Sequence, residues 1–358
     1  MIGILTLSSA ENYGAVLQCH SLCEYIKQKN VPAEIIDYVP SFIIGRYKWI
    51  TIDKSGIYST IRSLIGGTLK LPIVCIKKYR FYYFRKNFSH YSKKQYIGMI
   101  DEDNYDCYII GSDQVWNLEL TNYDLNFFLP FCNDSKKKNS YAASIGVDKI
   151  NDKAAELYRK FLPSFNHISV REQQAVEILN RTLENRTVCK NIDPVFLHDK
   201  KYWAGLSSKK IIKEKYVLIY AFVEISTAIQ IAEKMAGNSS IYFLNNELIS
   251  PKKGIKNVRC VGPLQFLSLV RDAEYVVTDS FHGMAFSIIF NKQFCVIPYK
   301  GTSSRMLNVL QQFDLTDRLL HDNQCDANVI DYEKVNTKIK ALVLEADSYL
   351  DSIIKEVK

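Results

Sequence analysis

One segment of the chain combines residue types that suit both proton transfer and anion binding. It reads Thr278-Asp279-Ser280-Phe281-His282-Gly283-Met284 and follows an apolar, β-prone run. A strand that runs into a helix in this way turns backbone N–H groups and the positive end of the helix dipole toward a ligand. His282 is suited to carry a proton there, because the ordinary pKa of histidine is about 6.5, and Ser280 is placed to contact an anion. The alternative is that Asp279 or Ser280 only caps the helix and that His282 packs in the core.

Cationic side chains follow two other predicted strands. Arg171 lies in Ser169-Val170-Arg171-Glu172, again where a strand runs into a helix. A guanidinium is the natural bidentate partner of a carboxylate or a phosphate. Lys300 and Arg305 lie in a polar loop after a later strand, and either is available for an anion. The alternatives are a salt bridge from Arg171 to a neighbour and a solvated loop with capping serines.

Two more loops carry polar groups that suit a sugar. Asn12 and Tyr13 close the first strand–helix turn, and Ser112 and Asp113 follow a strand that ends near residue 110. Trp116 is either a stacking surface or a core residue. The first turn lacks Gly-x-Gly-x-x-Gly, so the sequence does not support a dinucleotide site. The nine cysteines are odd in number and form no Cys-x-x-Cys, which argues against a disulfide framework and a metal site.

The order of strands and helices predicts the fold that positions these residues. A strand–helix–strand unit opens the chain, and short apolar strands alternate with helices after residue 100 and again after residue 210. Such units form parallel sheets whose ligands bind at the carboxyl ends of the strands. We predict an α/β fold with two Rossmann-like domains that face a central cleft. The predicted domains are 1–206 and 207–325, and a C-terminal helix within 326–358 packs back across the joint.

The positive charge of the chain lies in one segment. The 358 residues carry a net charge of +8, and residues 45–100 hold 12 of the 46 basic residues but one of the 38 acidic residues. The rest of the chain is nearly neutral and shows no nucleic-acid-binding module, so we expect no nucleic-acid partner. Residues 45–100 also mix aromatic rings with their cations. Our hypothesis is that this basic, aromatic helical insertion lies on an anionic membrane surface. The alternative is a solvated insertion packed on the first domain.

The start of the chain shows no secretory signal peptide, because its apolar run is short and lacks a basic lead. No apolar stretch approaches the ~20 residues that a membrane-spanning helix needs. We therefore expect the protein to stay in the cytoplasm, and the membrane hypothesis places it at the inner face of the cell membrane.

Six short motifs, each weak alone, are specific when they occur in one order and spacing. The motifs are Asn12-Tyr13-Gly14, Gly111-Ser112-Asp113-Gln114-Val115-Trp116, Ser140-Tyr141-Ala142-Ala143-Ser144-Ile145-Gly146, Ser169-Val170-Arg171-Glu172, Asp193-Pro194 and Asp279-Ser280-Phe281-His282-Gly283. Together they resemble the polysaccharide pyruvyl transferase family over roughly residues 1–315. The family's fold is similar to the two-domain GT-B glycosyltransferase arrangement. Its members typically move pyruvate from phosphoenolpyruvate onto a sugar, often as a cyclic ketal.

The resemblance implies a role for each candidate residue. His282 is expected to perform acid–base chemistry, and Arg171 to bind phosphoenolpyruvate, together with Ser280 and one or both of Lys300 and Arg305. The acceptor sugar is assigned to Asn12, Tyr13, Ser112 and Asp113. No metal and no cofactor beyond the phosphoenolpyruvate co-substrate are implied. The acceptor would be a cell-surface polysaccharide precursor, such as a sugar linked to a lipid diphosphate.

Two positions depart from the family's pattern. Many members carry an acidic residue where this chain has Ala15, so a role for that carboxylate is in doubt. Some members carry a basic residue where this chain has Ser280, which weakens the case for several cations at that point.

The reaction that the resemblance implies begins with protonation of the methylene carbon of an enol ether. A sugar hydroxyl attacks the resulting oxocarbenium-like centre, and a second hydroxyl closes the ketal as phosphate is lost. This chemistry requires a proton shuttle and cations for a carboxylate and a phosphate. The alternative function is a GT-B-type glycosyltransferase that uses a nucleotide sugar, because a fold does not determine a function.

Overall fold

The computed structural model describes residues 1–40, 57–96, 98–184, 186–299, 303–321 and 328–356, without the side chains of 57–66 and 303. Lys300 and the part of the basic segment from 45 to 56 lie outside the described residues, so their predicted roles stay predictions.

Short buried strands alternate with helices along the described chain. The strands are β1 (Ile2–Leu5), β2 (Ala33–Ile35), β3 (Cys107–Ile110), β4 (Lys138–Ser140), β5 (Ile168–Val170), β6 (Val188–Lys190), β7 (Tyr216–Tyr220), β8 (Ser240–Leu244), β9 (Ile255–Val258), β10 (Tyr275–Thr278) and β11 (Gln293–Val296). The helices are α1 (Tyr13–Gln28), α2 (Ile57–Phe88), α3 (Asp152–Phe161), α4 (Gln173–Thr182), α5 (Lys200–Leu206), α6 (Ile225–Ala236), α7 (Pro263–Asp272), α8 (Phe281–Ile289), α9 (Ser303–Gln312) and α10 (Tyr332–Lys355).

The strands form two parallel sheets, one in each half of the chain. The first has the order β2-β1-β3-β4, and parallel bridges from Asn139 to His167 and from Ala143 to Val170 extend it to the β5–β6 pair. The second has the order β11-β10-β7-β8-β9. Both are parallel throughout. The predicted fold class is confirmed: the protein is α/β, with two Rossmann-like halves around a central cleft, similar to the GT-B arrangement.

Burial explains why these strands read as continuous apolar runs. All five residues of β7 are buried, with Leu218 in the core that joins the two halves and Val217 in a separate core on the opposite face of the sheet. Parallel sheets covered on both faces require such runs. The strands of both sheets lead, at their carboxyl ends, into the loops at the cleft. The polar motifs of the sequence lie in these loops.

The long helix α2 contacts both halves of the molecule. Arg85 donates hydrogen bonds to the carbonyl oxygens of Ser8 and Ala10 in the first half, at 2.7 and 2.9 Å. Arg80 donates to the carbonyl oxygen of Cys260 in the second half, at 2.7 Å. The alternative drawn from the sequence was an insertion packed on the first domain. In the structure, α2 packs on both halves.

The last helix, α10, also contacts both halves. At its beginning, the Tyr332 hydroxyl donates to the carbonyl oxygen of Lys292. Farther along, the Tyr349 hydroxyl donates to the carbonyl oxygen of Ser140 at 2.8 Å, and Lys29 pairs with Asp351 at 2.8 Å. None of the helices in the described ranges has the length and apolarity needed to cross a membrane.

Candidate active site

A cavity of about 280 Å³ lies between the two halves, at the carboxyl ends of strands from both sheets. Parallel α/β sheets bind ligands at this edge because strand ends and helix N-termini meet there. The first half contributes loops after β1, β3 and β5, and the second contributes loops after β7, β10 and β11. The lining includes Asn12, Asp113, Arg171, Ser280, His282 and Arg305.

Arg171 is a buried cation between two buried carboxylates. Its Nη1 donates to Asp193 Oδ2 at 2.6 Å, and its Nε donates to Glu172 Oε1 at 3.0 Å. Burial lowers the pKa of Arg171, but the charges of Glu172 and Asp193 outweigh that effect and raise the pKa above its ordinary value. The side chain is nevertheless not saturated, because its Nη2 is buried without a hydrogen-bond partner. The sequence had suggested a salt bridge from Arg171 to a neighbour, and the structure shows two. They leave the Nη2 group of Arg171 available for a ligand.

His282 lies in the first turn of α8. Its Nε2 is buried without a hydrogen-bond partner and is 3.9 Å from Asp193 Oδ2. Burial lowers the pKa of His282, Asp193 and Asp113 act to raise it, and Arg171 and Arg305 lower it further. The net direction is downward, so these surroundings favour the neutral imidazole.

Gly14 leaves the space that the His282 ring occupies. A Cβ atom added at Gly14 would lie 1.9 Å from His282 Nδ1 and 2.2 Å from Cγ. These distances are far below van der Waals contact, so the glycine of the first-turn motif is needed for close approach of α1 to α8.

We expect a Gly14→Ala substitution to displace His282 and to lower kcat by at least tenfold. A methyl group beside a buried ring cannot be accommodated without a shift, and small misplacements of reacting groups can cost about 10²-fold in rate. The measurement is steady-state turnover, with Gly205→Ala as the control because a Cβ there meets no neighbouring atom. Full activity in Gly14→Ala would contradict the close fit.

Arg305 is the second cation of the cavity. It lies in the first turn of α9, is 9% exposed, and its Nε is buried without a partner. Burial lowers the pKa of Arg305, and Arg171 lowers it further. Among the described residues no carboxylate forms an ion pair with Arg305. The structure therefore brings Arg305 to the candidate site, whereas Lys300 lies outside the described residues.

Three buried nitrogen atoms without partners belong to residues that line this one cavity. They are Arg171 Nη2, Arg305 Nε and His282 Nε2. A buried polar group without a partner costs about 1–3 kcal/mol, and more when it is charged. An anionic ligand with several oxygen atoms would remove part of that cost.

The polar loop residues line the cavity, cap helices or do both. Asn12 and Ser280 do both, since Asn12 accepts the N–H of Ala15 at 3.2 Å and Ser280 accepts that of Gly283 at 3.4 Å. Asp113 lines the cavity from a left-handed backbone conformation, with φ of 70°.

Asp279 has a different role from the helix cap that the sequence suggested. Its carboxylate accepts the backbone N–H groups of Phe222, Val223 and Glu224 at 2.7–3.2 Å. It thereby fixes the loop after β7 that forms one wall of the cavity.

Two residues assigned to the acceptor lie away from the cavity lining. The Tyr13 ring stacks on Phe266 at 4.7 Å and its hydroxyl donates to the carbonyl oxygen of Val261, so it joins the two halves. Ser112 is fully buried and donates to Asp193 Oδ2 at 3.3 Å, so it supports that carboxylate. The structure thus gives both residues structural contacts, and their assignment to the acceptor stays a prediction. Trp116 is a core residue, with its Nε1 bonded to the carbonyl oxygen of Phe127.

The sequence interpretation missed the aromatic walls of the cavity. Phe222, Phe281 and Tyr299 line it, and the guanidinium carbon of Arg171 lies 4.2 Å from the centre of the Phe281 ring. Phe281 is adjacent to His282 in the motif, and this adjacency could have indicated that Phe281 lines the same cavity. Nothing local distinguishes Phe222 or Tyr299 from core residues. No group of three or more histidine, cysteine, aspartate or glutamate side chains within the described residues is arranged to hold a metal ion.

The fold and the site together define the class of protein. It is an α/β protein of the two-domain, GT-B-like type, with a cleft where two guanidinium groups and one imidazole converge. The family model of the polysaccharide pyruvyl transferases matches residues 12–301, which is most of the chain. The chain belongs to the polysaccharide pyruvyl transferase family, whose description is that of a transferase acting on polysaccharide.

Several solved structures show a distant likeness to the chain. UDP-GlcNAc 2-epimerase from Neisseria meningitidis bound to UDP-GlcNAc is 10% identical, with 98% of this chain and 93% of that one covered and a TM-score of 0.45. The enzyme of the same name from Methanocaldococcus jannaschii is 12% identical, with 96% and 92% covered and a TM-score of 0.44. E. coli ADP-heptose lipopolysaccharide heptosyltransferase II is 12% identical, with 97% and 99% covered and a TM-score of 0.35. No curated protein sequence gives a significant match.

Proposed function

We propose that the protein transfers pyruvate from phosphoenolpyruvate onto sugar hydroxyls of a cell-surface polysaccharide precursor, as a cyclic ketal. The observation that carries this proposal is the convergence of Arg171, Arg305 and His282 on one cavity, where each guanidinium keeps a buried nitrogen without a partner. Phosphoenolpyruvate carries a carboxylate and a phosphate ester on the same carbon, C2, and two guanidinium groups match that pair.

The charges of the site explain how an anionic donor would prepare the proton transfer. In the empty cavity burial lowers the pKa of His282. A bound phosphoenolpyruvate would add negative charge beside the ring and raise that pKa, so donor binding favours the imidazolium. His282 would then carry the proton that it donates mainly when phosphoenolpyruvate is bound.

The proposed step conserves atoms and charge. The N–H bond of the imidazolium breaks as a C–H bond forms at the methylene carbon, and the electron pair of the double bond leaves an oxocarbenium-like centre at C2. A sugar hydroxyl oxygen attacks C2, and its proton passes to a base. Phosphate departs with its C–O electron pair, a second hydroxyl oxygen attacks C2 to close the ketal, and the proton of that hydroxyl passes to the departing phosphate. Arg171 and Arg305 hold the carboxylate and the phosphate while this occurs. Asn12 and Asp113 are at hand for the acceptor hydroxyls.

Ligand-induced thermal stabilisation separates this function from nucleotide-sugar transfer. Phosphoenolpyruvate at about 100 times its Kd should stabilise the protein by about 2.7 kcal/mol and raise Tm accordingly. UDP-GlcNAc and other nucleotide sugars should leave Tm unchanged. Stabilisation by a nucleotide sugar, with no response to phosphoenolpyruvate, would instead support a glycosyltransferase.

We also propose that the acceptor is carried on a lipid diphosphate and that α2 meets it at the inner face of the cell membrane. The support differs from the electrostatic hypothesis drawn from the sequence. Several cations of this helix bind the protein itself, as Arg80 and Arg85 do. Its exposed face is instead mainly apolar and aromatic, with Lys86 exposed in the last turn of the helix and Lys93 and Lys94 exposed just after it. The large exposed side chains of this face are Leu69, Ile76, Tyr79, Tyr82 and Tyr83.

Vesicle flotation tests the membrane surface. We expect the protein to float with vesicles of phosphatidylcholine and phosphatidylglycerol, because tyrosine rings favour the interface and exposed lysines favour anionic lipid. A Tyr79→Ser, Tyr83→Ser double variant should lose most of this binding. Tyr96→Ser, which removes another exposed tyrosine outside α2, is the control. Absence of flotation by the unchanged protein would exclude the membrane surface without affecting the donor assignment.

A further inference from the structure

The Asp193 carboxylate is a buried group for which the reaction scheme has given no role. It follows β6, and its side chain has no exposed surface. Its Oδ1 accepts the N–H of Val195 at 3.1 Å. Its Oδ2 accepts hydrogen bonds from Arg171 at 2.6 Å and from Ser112 at 3.3 Å. Three donors therefore fix the position of Asp193.

The same oxygen faces the proposed proton donor. His282 Nε2 is 3.9 Å from Asp193 Oδ2, and this nitrogen has no hydrogen-bond partner. Asp193 belongs to the first half of the molecule, whereas His282 belongs to α8 in the second half. The two groups thus meet across the cleft that binds the ligand.

We propose that Asp193 is a positioning residue that accepts the Nε2–H of His282 when the cleft closes on the anionic donor. This bond fixes the imidazole in one tautomer and leaves Nδ1 to exchange the proton with the substrate. The inference rests on the proposed function and adds to it the group that orients the proton shuttle.

The observed distance suits a pair that closes on ligand binding. A hydrogen bond from nitrogen to oxygen spans about 2.7–3.2 Å, so an approach of roughly 1 Å would form it. Hydrogen bonds between catalytic groups are often long in unliganded structures and tighten in the complex. Asp193 is held by its three donors, so the approach would be made by His282.

The orientation of the ring supports the assignment of the two nitrogen atoms. Nδ1 lies on the side of Gly14, where an added Cβ would be 1.9 Å away. Asn12 and Ala15, which flank Tyr13 and Gly14 at the start of α1, both line the cavity. With Nε2 committed to Asp193, the free nitrogen is therefore the one on the side of a cavity-lining loop.

Four charged groups act on the His282 ring, and they predict the direction of the pH effect. Asp193 and Asp113 favour the protonated form, whereas Arg171 and Arg305 disfavour it. Removing the charge of Asp193 should therefore lower the pKa of His282. The limb of the pH–rate profile that reports His282 should move toward lower pH.

Two variants form a matched pair for the test. Asp193→Asn and Glu172→Gln each remove one carboxylate charge from Arg171 while conserving shape. Only Asp193→Asn removes a charge that acts on His282. We expect Asp193→Asn to lower kcat by about 10²–10³-fold, in the range for loss of the correct tautomer behind a catalytic histidine. Glu172→Gln should mainly raise the KM for phosphoenolpyruvate and leave the pH limb in place.

A spectroscopic readout keeps the inference independent of turnover. ¹⁵N-histidine NMR, with His282→Asn to assign the resonances, reports which ring nitrogen carries the proton above the pKa of His282. With saturating phosphoenolpyruvate, or inorganic phosphate as a second probe, we expect the Nε2–H tautomer in the unchanged protein and in Glu172→Gln, and its loss in Asp193→Asn.

Two results would overturn the role of Asp193. One is the same His282 tautomer in Asp193→Asn as in the unchanged protein. The other is an equal shift of the pH limb in both variants, which would indicate a general effect through Arg171. Failure of the proposed function would look different: no phosphoenolpyruvate-dependent phosphate release by the unchanged protein, whatever the tautomer of His282.

Discussion

A His282→Ala variant is expected to lose phosphate release from phosphoenolpyruvate in the presence of acceptor, by about 10²–10⁴-fold in kcat. The substitution removes the one imidazole among the cavity-lining residues of the described chain. It also removes the group whose pKa responds to the surrounding carboxylates and guanidinium groups. The binding of phosphoenolpyruvate should weaken much less than turnover, because Arg171 and Arg305 remain.

His90→Ala serves as the control for this prediction. His90 is an exposed histidine whose Nε2 lies 3.5 Å from Glu24 Oε1, away from the cavity. Its replacement should leave kcat and KM unchanged. Turnover by His282→Ala at a rate near that of the unchanged protein, with the fold verified by circular dichroism, would remove His282 from the mechanism.

An Arg305→Gln variant is expected to bind phosphoenolpyruvate about 10–100-fold more weakly without loss of stability. A hydrogen bond to a charged group contributes about 1.5–3 kcal/mol, which corresponds to that change in Kd. Arg305 forms no ion pair with a carboxylate of the described residues, and burial disfavours its charge, as its lowered pKa shows. Neutralising it therefore removes an unfavourable buried charge from the empty protein, and Tm should stay the same or rise.

The measurements are isothermal titration calorimetry with phosphoenolpyruvate and thermal unfolding. Arg181→Gln is the matched control, because Arg181 is an exposed arginine in the last turn of α4. A large drop in Tm for Arg305→Gln would show that the guanidinium is structural. An unchanged Kd would show that Arg305 does not hold the donor.

Local sequence patterns were sufficient to predict the strand-end candidates. Arg171 and His282 each lie where an apolar strand is followed by a helix, so the alternation of strands and helices already placed each of them at the carboxyl edge of a parallel sheet. The α/β class follows from the same alternation. The convergence of Arg171 and His282 on one cavity depends on how the two halves face each other, which no local pattern contains.

Tyr13 and Asp193 make contacts that no local pattern reveals. Tyr13 is adjacent to the cavity-lining Asn12, but the first turn of α1 directs its ring toward Phe266 in the other half. Asp193 reads as an Asp-Pro turn in the sequence, and only the folded chain brings its carboxylate to Arg171 and His282. Both roles arise from contacts across the cleft.

The basic segment shows that a charge count does not locate charge. Its net positive charge suggested an electrostatic surface, but in the described part of the segment Arg80 and Arg85 bind backbone carbonyl groups and Lys70 pairs with Glu247. Long cationic side chains reach inward along a helix while their neighbours face outward. The outward face of α2 consequently carries tyrosines that the charge balance did not reveal.

A crystal structure with phosphoenolpyruvate bound is the most direct test of the central claim, that the cavity between the two halves holds this donor. We predict electron density for the donor in the cavity, with Arg171 Nη2 and Arg305 Nε within hydrogen-bonding distance of its carboxylate or phosphate oxygens, and with the His282 ring beside the methylene carbon. Density for the donor elsewhere, or an empty cavity at a concentration that saturates binding in solution, would contradict the account.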